Sequence, residues 1–126
     1  MSDYKGMDVA SFTLDIEGIK KATGEVRIAM FDSEQKYKKD PVYAVVVAVD
    51  SNTVSWTVPD LPFGKYAIAV YHDKNTNGKL DTNLLGIPKE QYGFSNNARG
   101  KFGPASWKDA HFVVESSECS HRIKIK

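Results

Sequence analysis

Residues with oxygen-bearing side chains are concentrated in one short stretch, residues 73–81, where they fall at alternate positions around Gly78. This spacing matches the first half of a calcium-binding loop, which places oxygen ligands at positions one, three and five, glycine at six and an acid at nine. We therefore predict a calcium site at this stretch. Its ligands are side-chain oxygens and one backbone carbonyl, contributed by Asp73, Asn75, Asn77, Lys79 and Asp81.

Two features of the loop bear on whether it holds a metal. The twelfth position, where such loops place a bidentate glutamate, is Leu84, although Glu90 could fold back to supply a carboxylate. With two formal charges in the ring, affinity would be roughly 10⁻⁴–10⁻³ M. The alternative needs no metal, since Asp and Asn side chains cap turn N–H groups and Asn77-Gly78 is a favourable turn pair. In that case the protein has no cofactor.

A second group of residues could form a recognition surface for a small molecule, a glycan or a protein. An arginine flanked by amides and aromatic rings is suited to binding a carboxylate or a sugar. The alternative is a self-packed loop in which the arginine donates to backbone carbonyls, because a long loop must satisfy its own polar groups. The residues of this surface are Tyr92, Phe94, Asn96, Asn97, Arg99 and Phe102.

Signals for catalysis are sparse. No nucleophile elbow, phosphate-binding loop or dinucleotide fingerprint occurs, and no histidine or cysteine spacing fits zinc. Cys119 and His121 lie two apart on one predicted strand, so they point side by side rather than into a cleft. We predict no enzymatic activity. The rival hypothesis is a small hydrolase that uses His72 and Asp73 as an acid–base pair.

Composition sets the broad class of the protein. At 126 residues and 41% hydrophobic, the chain predicts one domain over residues 8–126, preceded by a disordered or non-native tail at 1–7. The net charge of +1 argues against nucleic acid as a partner. No apolar run is long enough to span a bilayer. We expect a monomer or weak oligomer.

Apolar and polar residues alternate along much of the chain, which is typical of half-buried strands. The apolar run from Val42 to Val49 instead predicts a central strand that is covered on both faces. Turn residues separate these runs, and the pattern predicts a seven-stranded antiparallel β-sandwich, Ig-like in its Greek-key order. The predicted strands are 8–17, 24–32, 42–50, 53–59, 65–72, 109–115 and 119–126.

The strand pattern stops between Asp73 and Lys108. Connections of this length inside a compact domain are usually functional or disordered. Disorder would predict few aromatic residues, yet several are spread along the segment, including Tyr92 and Trp107. We therefore predict one long ordered loop that packs on its own side chains.

Several of these stretches resemble a bacterial family of unknown function, DUF2141. The resemblance is carried by 64–73, the Asn-Gly loop, 85–90, 92–100 and Phe102-Gly103-Pro104. It implies a transthyretin-like (prealbumin-like) or carboxypeptidase-regulatory-like sandwich. Because members carry a signal peptide, the resemblance also implies a periplasmic or secreted location, although this chain shows no leader.

These observations together predict a non-catalytic binding or accessory module of the bacterial envelope. Its active surface would be the segment from Asp73 to Trp107, stiffened by calcium if the metal site forms. A third hypothesis is a purely structural envelope protein whose long loop covers the edge of a sheet.

Overall fold

Alternating apolar and polar residues form most of the strands, as predicted. The structure, a computed structural model, describes residues 8–73, 90–100 and 103–126. The predicted all-β class is confirmed, since within these ranges the only α-helix is a single turn, α1. In chain order the elements are β1 (Val9–Glu17), β2 (Glu25–Phe31), β3 (Tyr43–Ala48), β4 (Val54–Pro62), β5 (Gly64–Asp73), β6 (Tyr92–Phe94), α1 (Trp107–Ala110), β7 (Phe112–Val114) and β8 (Glu118–Lys124).

The strands form two sheets. A three-stranded sheet has the order β4-β1-β8, and a five-stranded sheet has the order β3-β2-β5-β6, with β7 also paired to β5. The prediction of a fully antiparallel arrangement was wrong, because β1 and β8 run parallel. The short connection after β7 carries the chain from the five-stranded sheet to the other sheet. As a result β8 enters beside β1 in the same direction.

Side chains from both sheets meet in one apolar cluster. β1 contributes every second residue to it, and β2 does the same on the opposite sheet, which is why their sequences alternate so regularly. We call the face of the five-stranded sheet that is turned away from this cluster the outer face. Central members of the cluster include Phe12, Leu14, Ile28, Ile68 and Ile123, all almost fully buried.

The predicted central position of the third strand was also wrong. Within the described ranges β3 lies at the end of the sheet order and pairs with β2. Its burial alternates, so Tyr43, Val45 and Val47 face the cluster while Ala44 and Val46 are exposed on the outer face. The apolar run is therefore apolar on both faces without being covered on both.

The described part of the long loop contains more structure than predicted. Its strand β6 pairs with β5, which brings the number of strands in the described ranges to eight rather than seven. Tyr92 also exchanges two backbone hydrogen bonds of 3.1 Å with Lys126 at the end of the chain. The predicted strand at 109–115 begins as α1, capped by the Ser106 side chain, and becomes β7 only at Phe112. No helix in the described ranges has the length and apolar character needed to cross a membrane.

Candidate functional site

Pairing between strands determines which side chains share the outer face. Arg27 of β2 lies opposite Val46 of β3 and Tyr71 of β5, and Tyr71 in turn lies opposite Tyr92 of β6. Two residues further along, the same four strands present Ala29, Ala44, Ala69 and Phe94. Three alanines in a row make a shallow floor, because a methyl group adds little height to the sheet.

One end of the outer face is covered by chain segments that pack on it. Tyr37, from the turn after β2, meets the rings of Phe31 and Trp107 edge to face at 5.4 and 5.9 Å. Its hydroxyl donates a 2.7 Å hydrogen bond to the carbonyl of Ala105. Burial raises the pKa of Tyr37 to about 12. The turn and the segment around α1 are thus fastened to each other over the sheet.

Beside this cover the outer face opens into a groove of about 410 Å³. The volume is that of a small-molecule site, and the walls are mainly apolar, as such sites usually are. The aromatic rings of Tyr92 and Phe94 meet edge to face, at a centroid distance of 6.0 Å, along one side. We call it the outer groove, and its side chains come from Arg27, Ala29, Ala44, Val46, Ala69, Tyr71, Tyr92 and Phe94.

Charged groups lie at one end of the outer groove. The Nε of Arg27 donates to the Asp73 carboxylate at 3.2 Å, and Nη2 donates to the Glu25 carboxylate at 3.1 Å. The Asp73 side chain is fully buried, whereas those of Arg27 and Glu25 are about one-third exposed. The hydrogen bond to Asp73 raises the pKa of Arg27. Arg27 is therefore held in place between two carboxylates at the border of an apolar surface.

The predicted recognition surface is partly brought together. The Arg99 guanidinium stacks on the Tyr92 ring at 4.1 Å and donates to the Tyr92 carbonyl at 2.7 Å. Asn96 and Asn97 instead hold backbone. The Asn96 amide donates to the carbonyls of Asp109 and His111, and the Asn97 side-chain oxygen accepts from the Lys124 N–H. Tyr92 and Phe94 are the two predicted residues that line the outer groove. Phe102 lies outside the described residues.

Most of the predicted calcium loop also lies outside the described residues. Asn75, Asn77, Lys79 and Asp81 belong to that part of the chain, and Asp73 alone can be placed. Its carboxylate accepts from Arg27, as described above. Within 8–73, 90–100 and 103–126, no three acidic, histidine or cysteine residues are grouped as metal ligands.

His72 and Asp73 do not converge on a cleft. They are neighbours on β5 and therefore point to opposite faces, His72 toward the cluster and Asp73 toward the outer face. The His72 side chain is fully buried, and its Nε2 lies 2.6 Å from the carbonyl of Thr23, which can only accept. Nε2 therefore donates, and Nδ1 has no hydrogen-bond partner among the residues that the structure describes. This geometry disfavours an acid–base pair of these two residues.

Cys119 and His121 share the inward side of β8, as predicted. The His121 ring lies 4.0 Å from the Phe112 ring, centroid to centroid, and burial lowers the pKa of His121. Burial also raises the pKa of the Cys119 thiol, so a reactive thiolate is disfavoured. Both side chains take part in packing.

Sequence reasoning missed the floor of the outer groove. The signal was present in the sequence, because Ala29, Ala44 and Ala69 occupy strand positions where the alternation predicts polar, solvent-facing residues. A solvent-facing strand position usually carries a longer polar side chain, so three alanines there are informative once the register aligns them.

Comparison with known proteins gives one finding. No curated protein and no solved structure matches the chain. A family model described as an uncharacterized protein conserved in bacteria matches residues 14–122, a stretch that begins within β1 and ends within β8. The chain therefore belongs to the DUF2141 family, as its motifs suggested.

Proposed function

We propose that this protein is a non-catalytic binding or accessory module of the bacterial envelope, periplasmic or secreted, and that the outer groove is its binding surface. The two sheets and their shared core support a β-sandwich of transthyretin-like type as the scaffold. The proposal rests on the outer groove, since a recessed apolar surface with a few polar groups at its border is typical of ligand sites.

The shape of the groove indicates the class of ligand. A floor of alanines on adjacent strands accepts a flat molecule, and the rings of Tyr92 and Phe94 offer aromatic surface beside it. At one end of the groove Arg27 is paired with two carboxylates, so its guanidinium offers N–H donors there without a net positive charge. We therefore propose a small molecule with a flat apolar ring system and one uncharged hydrogen-bond acceptor.

The test uses an uncharged probe with those properties, Nile red, and follows its fluorescence on titration. Ala69→Leu raises the floor of the groove from β5, away from the sheet edge, and should weaken binding at least about tenfold, or about 1.4 kcal/mol. Thr57→Leu places the same side chain on an exposed strand position of the other sheet and serves as the control. If both variants bind the dye like the parent, the outer groove is not the site.

Calcium is a second part of the proposal. The spacing of Asp73 to Asp81 supports a weak site that would stiffen the segment between β5 and β6. Because Asp73 also pairs with Arg27, the sharper variant is Asp81→Ala, which leaves that ion pair in place. Millimolar calcium should raise the melting temperature of the parent and not of the variant. An equal rise in both proteins would remove the metal from the proposal.

A further inference from the structure

The outer groove is longer across the strands than along them. It is lined by the neighbouring strands β3, β2, β5 and β6, each of which contributes two successive outward-facing residues. Neighbouring strands lie about 4.8 Å apart, so the groove extends about 14 Å from β3 to β6, whereas two successive outward-facing residues of one strand are about 7 Å apart. The groove is therefore a slot whose long axis crosses the strands.

Both long sides of this slot are occupied. On one side, the outward-facing row beyond the alanine floor contains Phe31 and Ala67, which are buried in the apolar cluster beneath the cover. On the other side, Glu25 and Asp73 lie opposite each other, one outward-facing row beyond Arg27. A long ligand that lay along the strands would have to displace the cover or the paired carboxylates. A long flat ligand therefore fits the groove across the strands.

Arg27 offers hydrogen-bond donors to such a ligand. Its Nε and Nη2 lie on the same side of the planar guanidinium, and each donates to one of the two carboxylates. Among the residues that the structure describes, Nη1 has no acceptor for its two N–H groups. Seen from the alanine floor the carboxylates lie beyond Arg27, so the unoccupied side of the guanidinium is the side of the groove. Because its charge is already compensated, this side suits an uncharged carbonyl oxygen.

The strand order gives the position of these donors along the slot. Arg27 belongs to β2, which lies between β3 and β5, so it borders a long side of the slot and not one of its ends. At the ends the lining is mainly apolar, with Val46 on β3 and the rings of Tyr92 and Phe94 on β6. A ligand that lies across the strands consequently meets Arg27 with its long edge.

We propose that the ligand of the outer groove is a flat, uncharged row of about three fused rings with a carbonyl oxygen on its long edge, and that Nη1 of Arg27 donates to that oxygen. The alanine floor packs against the ring face, and Arg27 selects where the oxygen lies. This inference rests on the proposed function and adds to it the orientation of the ligand and the residue that recognises it.

The first test compares three ligands that displace Nile red from the parent protein. Fluorenone and fluorene share one flat three-ring frame and differ in the carbonyl on the long edge, whereas 2-acetylfluorene carries its carbonyl at one tip. Fluorenone should bind at least about fivefold more tightly than either of the others, since a hydrogen bond is added to the same ring packing. Fluorenone that binds no more tightly than fluorene, or 2-acetylfluorene that binds as tightly as fluorenone, would overturn the proposal.

The second test removes the donor and keeps the ion pair. Arg27→Lys leaves a cation beside Asp73 but has a single nitrogen in place of the planar fork, so the preference for fluorenone over fluorene should disappear while the affinity for fluorene stays within about twofold. Arg122→Lys is the control, because the Arg122 side chain is 71% exposed on β8 of the other sheet. An Arg27→Lys protein that keeps the preference would overturn the proposal. If this variant does not fold, the ligand comparison in the parent decides alone.

The two proposals fail in different ways. If Nile red does not bind, or binds equally well after Ala69→Leu, the outer groove is not the site and both proposals fail. If Nile red binding depends on Ala69 but fluorenone and fluorene bind equally, the groove remains the site and only the orientation and the role of Arg27 are overturned.

Discussion

Gly93 of β6 packs closely against the C-terminal segment, which includes Ile123 of β8 in the other sheet. A Cβ atom added there would lie 2.9 Å from Cγ2 of Ile123 and 3.2 Å from Cγ2 of Ile125. Favourable carbon–carbon contacts are about 3.5–4.0 Å, so either β6 or the end of the chain must move by several tenths of an ångström. Gly93→Ala therefore tests whether β6 is fastened against the C-terminal segment.

The expected cost combines two opposing effects. Overpacking a well-packed core costs about 1–3 kcal/mol, while replacing a strand glycine recovers about 0.5–1 kcal/mol of backbone entropy. The free energy of unfolding should fall by about 1–2 kcal/mol, which urea denaturation followed by tryptophan fluorescence can measure. Gly103→Ala is the control, because a Cβ there would meet no described residue within 4 Å. A Gly93→Ala protein within about 0.5 kcal/mol of the parent would refute the packing described for β6.

Three further perturbations test other contacts. Burial lowers the pKa of His121, so the unfolded chain takes up a proton before the folded chain does as the pH falls below about 6.5, and the folded state loses stability. His121→Phe should therefore show a smaller drop in unfolding free energy between pH 7 and pH 5 than the parent. Tyr37→Phe removes the hydrogen bond to the Ala105 carbonyl and should lower the free energy of unfolding by about 1–2 kcal/mol. An ultraviolet titration of the parent should show one tyrosine that ionises near pH 12. Arg27→Met should lower the urea midpoint more than Arg122→Met, because the ion pair of Arg122 is largely exposed. An equal effect of the two substitutions would contradict the role assigned to Arg27.

Local pattern was sufficient to predict the strands that have one buried face. In β1 and β2 the alternation records one buried and one exposed face, so both the existence and the extent of these strands followed from the sequence. Short segments gave weaker signals. β6 is three residues long, and α1 is a single turn that depends on the Ser106 cap, so neither produces a recognisable period.

The alternation of apolar and polar residues did not predict how distant strands pair. The parallel pairing of β1 with β8 depends on where the chain crosses between sheets, which alternation does not encode. The outer groove likewise depends on strand register, because Ala29, Ala44 and Ala69 are far apart in sequence and adjacent only after pairing. The roles of Asn96 and Asn97 illustrate the same limit, since an amide that binds backbone and one that binds a ligand look alike in sequence.

The one strand whose pattern misled the prediction is the most informative about function. A run that is apolar at every position requires burial of two faces, and this was the reason to expect a central strand. The shared core buries one face of β3, and on the other face Ala44 and Val46 are exposed beside the outer groove. Apolar residues on an exposed strand promote aggregation unless something covers them. The pattern of β3 is therefore consistent with an outer face that is covered by a flat ligand in the outer groove.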